Sequence, residues 1–285
     1  YQGIPENYFN SLPIKTFVKV SFWLYDINEK FELLKIEAKK PSTWQITENI
    51  LPKTEIVVLI VGESLRKDFL HSYGFPINNT PFIDSSPHIK FNNYISVAST
   101  TSNSLSKTLA LSRNLVNYEP YNNIVTLAKK IGYKSYWISS QEPISGHGSP
   151  IAQIALNTDE YFFMNNETTR KNDKDLFKNY LAISNNKSSP KFIVLHMIGS
   201  HPAIGDRVEY QYDEYLVSKE ISYYNKSVKN TDAFLGQIYQ NLKSTKKSFK
   251  MIYISDHGLG INSSLQISHD DNVQESYNVP LILWG

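Results

Sequence analysis

The sequence predicts an α/β domain built around a mainly parallel sheet. Short runs rich in β-branched and other apolar residues recur from residue 51 onward, and longer segments of helical periodicity separate them. Near-continuous apolar runs of this length suit strands buried on both faces, and strand–helix alternation implies βαβ units. No internal repeat, low-complexity segment or linker interrupts the alternation.

Residues 1–50 are mixed and aromatic-rich. The stretch Ile14 to Leu24 has no clean alternation and is expected to form a helix packed on the domain or lying against a membrane surface. The predicted strands are Ile56–Val61, Lys134–Ile138, Lys191–His196, Lys250–Ile254 and Val279–Trp284. A helical stretch is expected from Leu105 to Leu115. The clearest helix is Lys219–Lys243, with Ile221, Tyr224, Val228, Leu235, Ile238 and Leu242 on one stripe. Asn-rich clusters at Asn78-Asn79, Asn92-Asn93, Asn165-Asn166 and Asn185 to Ser189 mark loops. The chain therefore divides into an extension, 1–50, and one domain, 51–285. It starts at Tyr1 and stops one residue past a strand, which reads as an excised fragment lacking its C-terminal end.

Composition narrows the function. With 285 residues there is ample chain for a core, and a charged fraction of 20% with 13% aromatics argues against disorder. A net charge of +2 is too mild for an electrostatic nucleic-acid binder, so pairs such as Lys129-Lys130 and Lys246-Lys247 are expected on solvated faces. The chain has no cysteine, which excludes thiolate metal sites, disulfides and any cysteine-derived nucleophile. No run of 18 apolar residues is present to span a bilayer.

Open parallel sheets gather ligands beyond the carboxyl ends of their strands. Three predicted strands end there in Gly62-Glu63-Ser64, in Gly199-Ser200-His201 and in Ser255-Asp256-His257-Gly258. Carboxylates and imidazoles without sulfur describe a site for Zn²⁺ or Mn²⁺. Asp256 and His257 can reach one metal only if the backbone turns sharply, which Gly258 would permit. His269 lies in a Ser/Asn-rich loop that could fold back over the site. The hydroxyl cluster Ser96 to Ser106 enters a helical stretch, where free N–H groups and the helix dipole favour phosphate and a nearby metal would make a hydroxyl reactive.

These residues carry a resemblance. The segment IVVLIVGESLRKDFLHSYGFPINNTPFID, residues 56–84, is similar to the opening of the catalytic domain of bacterial phosphoethanolamine transferases. They belong to the sulfatase-like branch of the alkaline phosphatase superfamily. The pattern continues in Tyr73-Gly74-Phe75-Pro76, Thr80-Pro81, Thr101-Ser102-Asn103-Ser104-Leu105, Gly199-Ser200-His201, Ser255-Asp256-His257-Gly258 and His269, in order over roughly residues 50–285. The resemblance implies an alkaline-phosphatase/sulfatase-like α/β/α sandwich. It implies one firm zinc site of Glu63, Thr101, Asp256 and His257, with Mn²⁺ as the alternative. Thr101 would be the nucleophile, with Ser104 as its partner and Thr100 and Ser99 as rivals in the same hydroxyl run. His201 and His269 would bind a second zinc, the phosphoryl group or the leaving group.

The resemblance further implies phosphatidylethanolamine as donor and a lipopolysaccharide or other envelope glycan as acceptor. It implies a bacterial inner-membrane protein whose catalytic domain faces the periplasm, anchored by an N-terminal membrane domain that precedes these residues. Members acting on lipid A usually carry disulfides; their absence here favours another glycan acceptor. The lysine that some members place after the Trp-containing strand is not evident after Trp137; His147 could stand in for it, but is expected to be an ordinary loop histidine. His71, His88 and His196 are expected to be structural. The alternatives are a phosphoglycerol transferase of the lipoteichoic-acid-synthase kind, a zinc phosphodiesterase, and a catalytically dead glycan- or lipid-binding module, against which the retention of all six site residues speaks.

Overall fold

The computed structural model describes residues 21, 25–26, 29–47, 51–114, 116–143, 150–165, 172–186 and 190–285. The expected N-terminal helix over Ile14 to Leu24 falls almost wholly outside them, as does His147. The strands are β1 (Ile56–Gly62), β2 (Ile89–Lys90), β3 (Ala110–Ser112), β4 (Tyr118–Asn123), β5 (Lys134–Ser139), β6 (Glu160–Phe163), β7 (Lys191–His196), β8 (Phe249–Ser255), β9 (Gly260–Ile261), β10 (Ile267–Ser268) and β11 (Leu281–Trp284). The helices are α1 (residues 29–38), α2 (Pro81–Ser85), α3 (Thr101–Thr108), α4 (Ile124–Lys130), α5 (Pro150–Ala155), α6 (Asp173–Ser184), α7 (Ile204–Arg207) and α8 (Lys219–Ser244). None of the described helices is long and apolar enough to cross a membrane.

Seven strands form one sheet in the order β2-β11-β8-β1-β7-β5-β6. β8, β1, β7 and β5 run parallel, as expected, and β6, a strand the sequence did not mark, continues them in parallel beside β5. The last expected strand is shorter than its apolar run and antiparallel: β11 pairs with β8 through Leu281↔Ile254 and Trp284↔Met251. Val279 and Pro280 fall outside it, Pro280 accepting from Ser255 N instead.

Alternate residues of β1 enter two cores. Val58 and Ile60 pack with the α8 stripe of Ile221, Tyr224, Val228 and Leu235 on one face. Leu59 and Val61 pack with Leu105 of α3, Val125 of α4 and Ile154 of α5 on the other. This is a three-layer α/β/α sandwich, and it explains why the strands read as near-continuous apolar runs. The helix expected over Leu105–Leu115 starts earlier and stops at Thr108, because Ala110–Ser112 pairs antiparallel with β4.

His196 closes β7 and is buried, with Nδ1 3.0 Å from Ser139 Oγ and no partner for Nε2. Burial pushes it from its ordinary 6.5 down to about 4, against the pull of Glu63. A depressed histidine contributes stability that is complete above about pH 6.5 and is lost as pH falls through about 4. We expect His196→Asn to remove that dependence. The stability gap between wild type and variant, read by urea unfolding, should narrow by about 3 kcal/mol between neutral pH and about pH 4. A gap independent of pH would contradict this account.

Candidate active site and metal centre

Glu63, Asp256 and His257 meet at the carboxyl edge of the sheet, just beyond β1 and β8. Each offers a donor atom, and these atoms lie within 4.8 Å of one another. All three side chains are buried. His257 Nε2 is 3.4 Å from Glu63 Oε1 and 3.4 Å from Asp256 Oδ2. Its Nδ1 lies 2.7 Å from the carbonyl of Gly258, which can only accept. The ring proton therefore sits on Nδ1, and the Nε2 lone pair of the neutral ring is left for a metal.

Asp256 divides its oxygens. Oδ1 accepts from the amides of Ser64, at 2.9 Å, and His257, at 2.7 Å. Oδ2 is buried with no hydrogen-bond partner. An orphaned buried carboxylate oxygen beside a free imidazole lone pair and a second carboxylate is what a metal ligand set requires. Burial and then the charge of Glu63 push the Asp256 carboxyl up. Burial would do the same to Glu63, but the hydrogen bond and charge of His257 hold it well below the usual carboxylate range. Burial opposes charge on His257, yet Asp256 and Glu63 raise it. A dication bound here would displace that proton and relieve the carboxylate repulsion.

Thr101 completes the group. It is the first residue of α3, behind the N-cap Thr100. Its Oγ1 donates to Glu63 Oε2 at 3.0 Å and lies 3.3 Å from His257 Nε2. The rivals Thr100 and Ser99 have other partners: Asn103 Nδ2 donates to Thr100 Oγ1 at 3.2 Å, and Ser99 Oγ donates to Asp271. Ser104 corrects an expectation. It is not seen bonded to Thr101; its hydroxyl donates to the Asp256 carbonyl at 2.6 Å, as does that of Ser96, fixing the backbone that carries Asp256 and His257.

The two outer histidines adjoin this group. The His269 ring is 4.9 Å from that of His257, and burial and the His257 charge lower its pKa. His201 follows Ser200, whose amide donates to the Glu63 carbonyl at 3.0 Å. His201 Nδ1 donates to the Pro202 carbonyl, which leaves Nε2 as the remaining lone pair. Glu63, Thr101, Asp256, His257 and His269 thus stand together, with His201 on the loop that Ser200 ties to Glu63. His71 and His88 stand apart, bonded to Asp84 at 2.7 Å and to the Ser86 carbonyl at 2.8 Å.

Gly258 serves a purpose other than a sharp turn. Its φ is not in the left-handed region; a Cβ there would stand 2.2 Å from the Glu275 carbonyl oxygen. Beside the site, Ser64, at φ 60°, and Gly199, at φ 45°, are left-handed. Ser64 turns so that its amide meets Asp256 and its carbonyl accepts from Tyr224 at 2.7 Å. Gly199 allows the loop to pass the Glu63 backbone, where a Cβ would come within 2.9 Å of the carbonyl oxygen. The Asp173 carboxylate holds that loop through the amides of Ile198 and Gly199, both at 2.9 Å.

Gln141, just after β5, was not singled out by its sequence. Its Nε2 donates to Glu63 Oε2 at 2.8 Å and to the Met197 carbonyl at 2.9 Å, tying together the ends of β1, β5 and β7. Groups that orient a metal ligand are worth about 10–100-fold in affinity. Gln141→Leu should therefore weaken zinc binding by about that factor, measured by competition with a chelator. Unchanged affinity would show that Glu63 needs no such support.

The family model named Sulfatase matches residues 55–285. The phosphoethanolamine transferase OpgE of Escherichia coli is 34% identical over 268 residues, covering 90% of this chain and 50% of that protein. The chain thus spans about half the length of the curated relatives it matches. The C-terminal periplasmic domain of EptC from E. coli aligns with a TM-score of 0.71, and its zinc complex with 0.70; each is 20% identical and covers 83% of this chain and 74% of that domain. The integral membrane lipooligosaccharide phosphoethanolamine transferase A of Neisseria meningitidis aligns with a TM-score of 0.66 at 17% identity, over 94% of this chain and 54% of that one. The likeness to these structures is one of fold, an α/β/α sandwich, and the family match agrees with it: the chain belongs to the sulfatase family.

Proposed function

We propose that this chain is the catalytic part of a zinc-dependent phosphoethanolamine transferase. In this reading it moves phosphoethanolamine from phosphatidylethanolamine to a lipopolysaccharide or other envelope glycan. The observation that carries the reading is the Thr101 hydroxyl at 3.0 Å from Glu63 and 3.3 Å from His257, on the edge of the buried ligand trio. The relative named OpgE supports the activity class.

Glu63, Asp256, His257 and the Thr101 oxygen supply four donors without sulfur, which suits zinc, and the zinc complex of the EptC domain agrees with that choice. Zinc held there supplies positive charge that lowers the hydroxyl pKa and neutralises phosphoryl oxygens. Thr101 Oγ1 gives its proton to a neighbouring imidazole and attacks the donor phosphorus. The Oγ1–P bond forms, the bond from phosphorus to the diacylglycerol oxygen breaks, and that oxygen leaves as diacylglycerol after taking a proton. The acceptor then attacks the phosphothreonine, loses its own proton, and restores the Thr101 hydroxyl. His201 and His269 handle these protons, because an imidazole can accept one and, once protonated, return it. Alanine at either histidine should lower turnover more than zinc content, seen by comparing initial rates with metal analysis. Complete loss of zinc in either variant would move that histidine into the firm site.

The remainder of the protein, beyond these residues, would anchor the domain to the inner membrane, with residues 1–50 as the link and the site on the periplasmic side. The test incubates the full-length protein with labelled phosphatidylethanolamine and candidate glycan acceptors and weighs the lipid products. Diacylglycerol with phosphoethanolamine-bearing glycan is expected. Free phosphoethanolamine alone would indicate a phosphodiesterase, and consumption of phosphatidylglycerol instead would indicate a phosphoglycerol transferase.

A further inference from the structure

We infer that the segment joining α7 to α8, residues 208–218, is a membrane-contacting ridge that sets the mouth of the site against a zwitterionic phospholipid surface. Tyr210, Tyr215 and Val217 are 66%, 62% and 68% exposed, and Tyr212 is 36% exposed. Large apolar side chains crowded on one short exposed segment mark a contact surface, whereas scattered ones do not. The segment is also braced. Tyr210 and Tyr212 pack on Tyr223 of α8, with ring centroids 6.0 and 5.6 Å apart, and Tyr215 packs on Tyr212 at 6.1 Å. The Leu216 amide donates to Ser222 Oγ at 2.9 Å.

Its position follows from the topology. β7 delivers His201 to the carboxyl edge of the sheet, and α7 starts three residues later. Arg207 Nε donates to the His201 carbonyl at 3.4 Å. α8 then leads back toward β8, whose first residue lies at the opposite edge, paired with the start of β1. The segment before α8 therefore lies on the same edge as Glu63, Asp256 and His257.

Its chemistry selects the partner. Residues 208–218 contain no Lys or Arg. Their three acidic residues are each paired with a lysine from a helix: Glu209 with Lys174 at 3.6 Å, Asp213 with Lys226 at 2.6 Å, and Glu214 with Lys229 at 3.4 Å. What the ridge presents outward is phenol and apolar surface of little net charge. Phenol-tipped rings suit the headgroup boundary of a bilayer, where one end is apolar and the other wet. A surface that binds anionic lipid needs clustered unpaired cations, which this segment lacks. The inference rests on the phosphatidylethanolamine-donor reading, since a donor held in a bilayer requires the site to face one.

The test uses the 285-residue chain and vesicles of phosphatidylcholine and phosphatidylethanolamine, with the triple variant Tyr210→Ser, Tyr212→Ser, Tyr215→Ser. Partitioning in a co-sedimentation assay should fall about tenfold or more in the variant. Binding by the wild type should be insensitive to salt and to added anionic lipid. Hydrolysis of a water-soluble phosphoethanolamine ester should be the same in both proteins. As a check independent of the triple variant, Tyr215→Trp should add emission that brominated lipid quenches. Equal partitioning of the two proteins, binding that requires anionic lipid, or emission from Tyr215→Trp that brominated lipid does not quench would each overturn the inference. A wild type that binds vesicles through the ridge yet consumes no phosphatidylethanolamine would sink the donor reading and leave the ridge standing.

Discussion

Thr101→Ala should abolish transfer and leave the fold in place. Thr101 starts α3, where its backbone continues the helix whatever the side chain, and the N-cap role falls to Thr100. Removing its hydroxyl costs the bonds to Glu63 and His257 and no core packing. Stability should change by about 1 kcal/mol or less, while the transfer rate should fall at least about a thousandfold, as for other covalent nucleophiles. Thr101→Ser keeps an oxygen on the same carbon and should keep part of the activity. Rates for both variants beside their thermal melts check this. An active Thr101→Ala protein would return the role to Thr100 or Ser99, against the partners those hydroxyls have in the fold.

Asp256→Asn should cost far more in metal than in folding. The side chain contributes Oδ2, which has no hydrogen-bond partner, and Oδ1, which accepts two backbone amides that an Asn oxygen can also accept. Without metal the carboxylate is crowded by Glu63, which helps to raise its pKa. Relieving that repulsion should leave the metal-free protein at least as stable as wild type near neutral pH. Zinc affinity should fall at least about a hundredfold, since a first ligand outweighs the groups that merely orient one. Isothermal titration with zinc, beside urea unfolding of the metal-free protein, separates the two effects. Full zinc content in the variant would place the metal elsewhere.

Much of this was legible in the sequence because burial on both faces leaves a local mark. The five main strands are near-continuous apolar runs, and the α8 stripe repeats at helical spacing. Glu63, Asp256 and His257 were legible because they follow strand ends, where a polar residue interrupts an apolar run. What escaped depends on contacts between distant residues. Glu160–Phe163 and Tyr118–Asn123 become strands only through their partners, and neither alternates cleanly. The direction of β11 is set by pairing and leaves composition unaltered. Gln141 is an unremarkable amide until β1, β5 and β7 bring their ends together. Ser104 was read from its spacing to Thr101, but its hydroxyl serves a carbonyl 152 positions away. Gly258 was read as a turn residue, whereas the close approach of Glu275 is what excludes a side chain there.

The covalent role of Thr101 is the central claim, and peptide mass mapping tests it most directly. The zinc-loaded protein is exposed to phosphatidylethanolamine without acceptor, quenched in acid and digested. The account predicts phosphoethanolamine, or residual phosphate, on the peptide that contains Thr101, and no adduct in Thr101→Ala. An adduct placed on Thr100, Ser99 or a histidine, or diacylglycerol release without any adduct in a protein that still turns over, would contradict it.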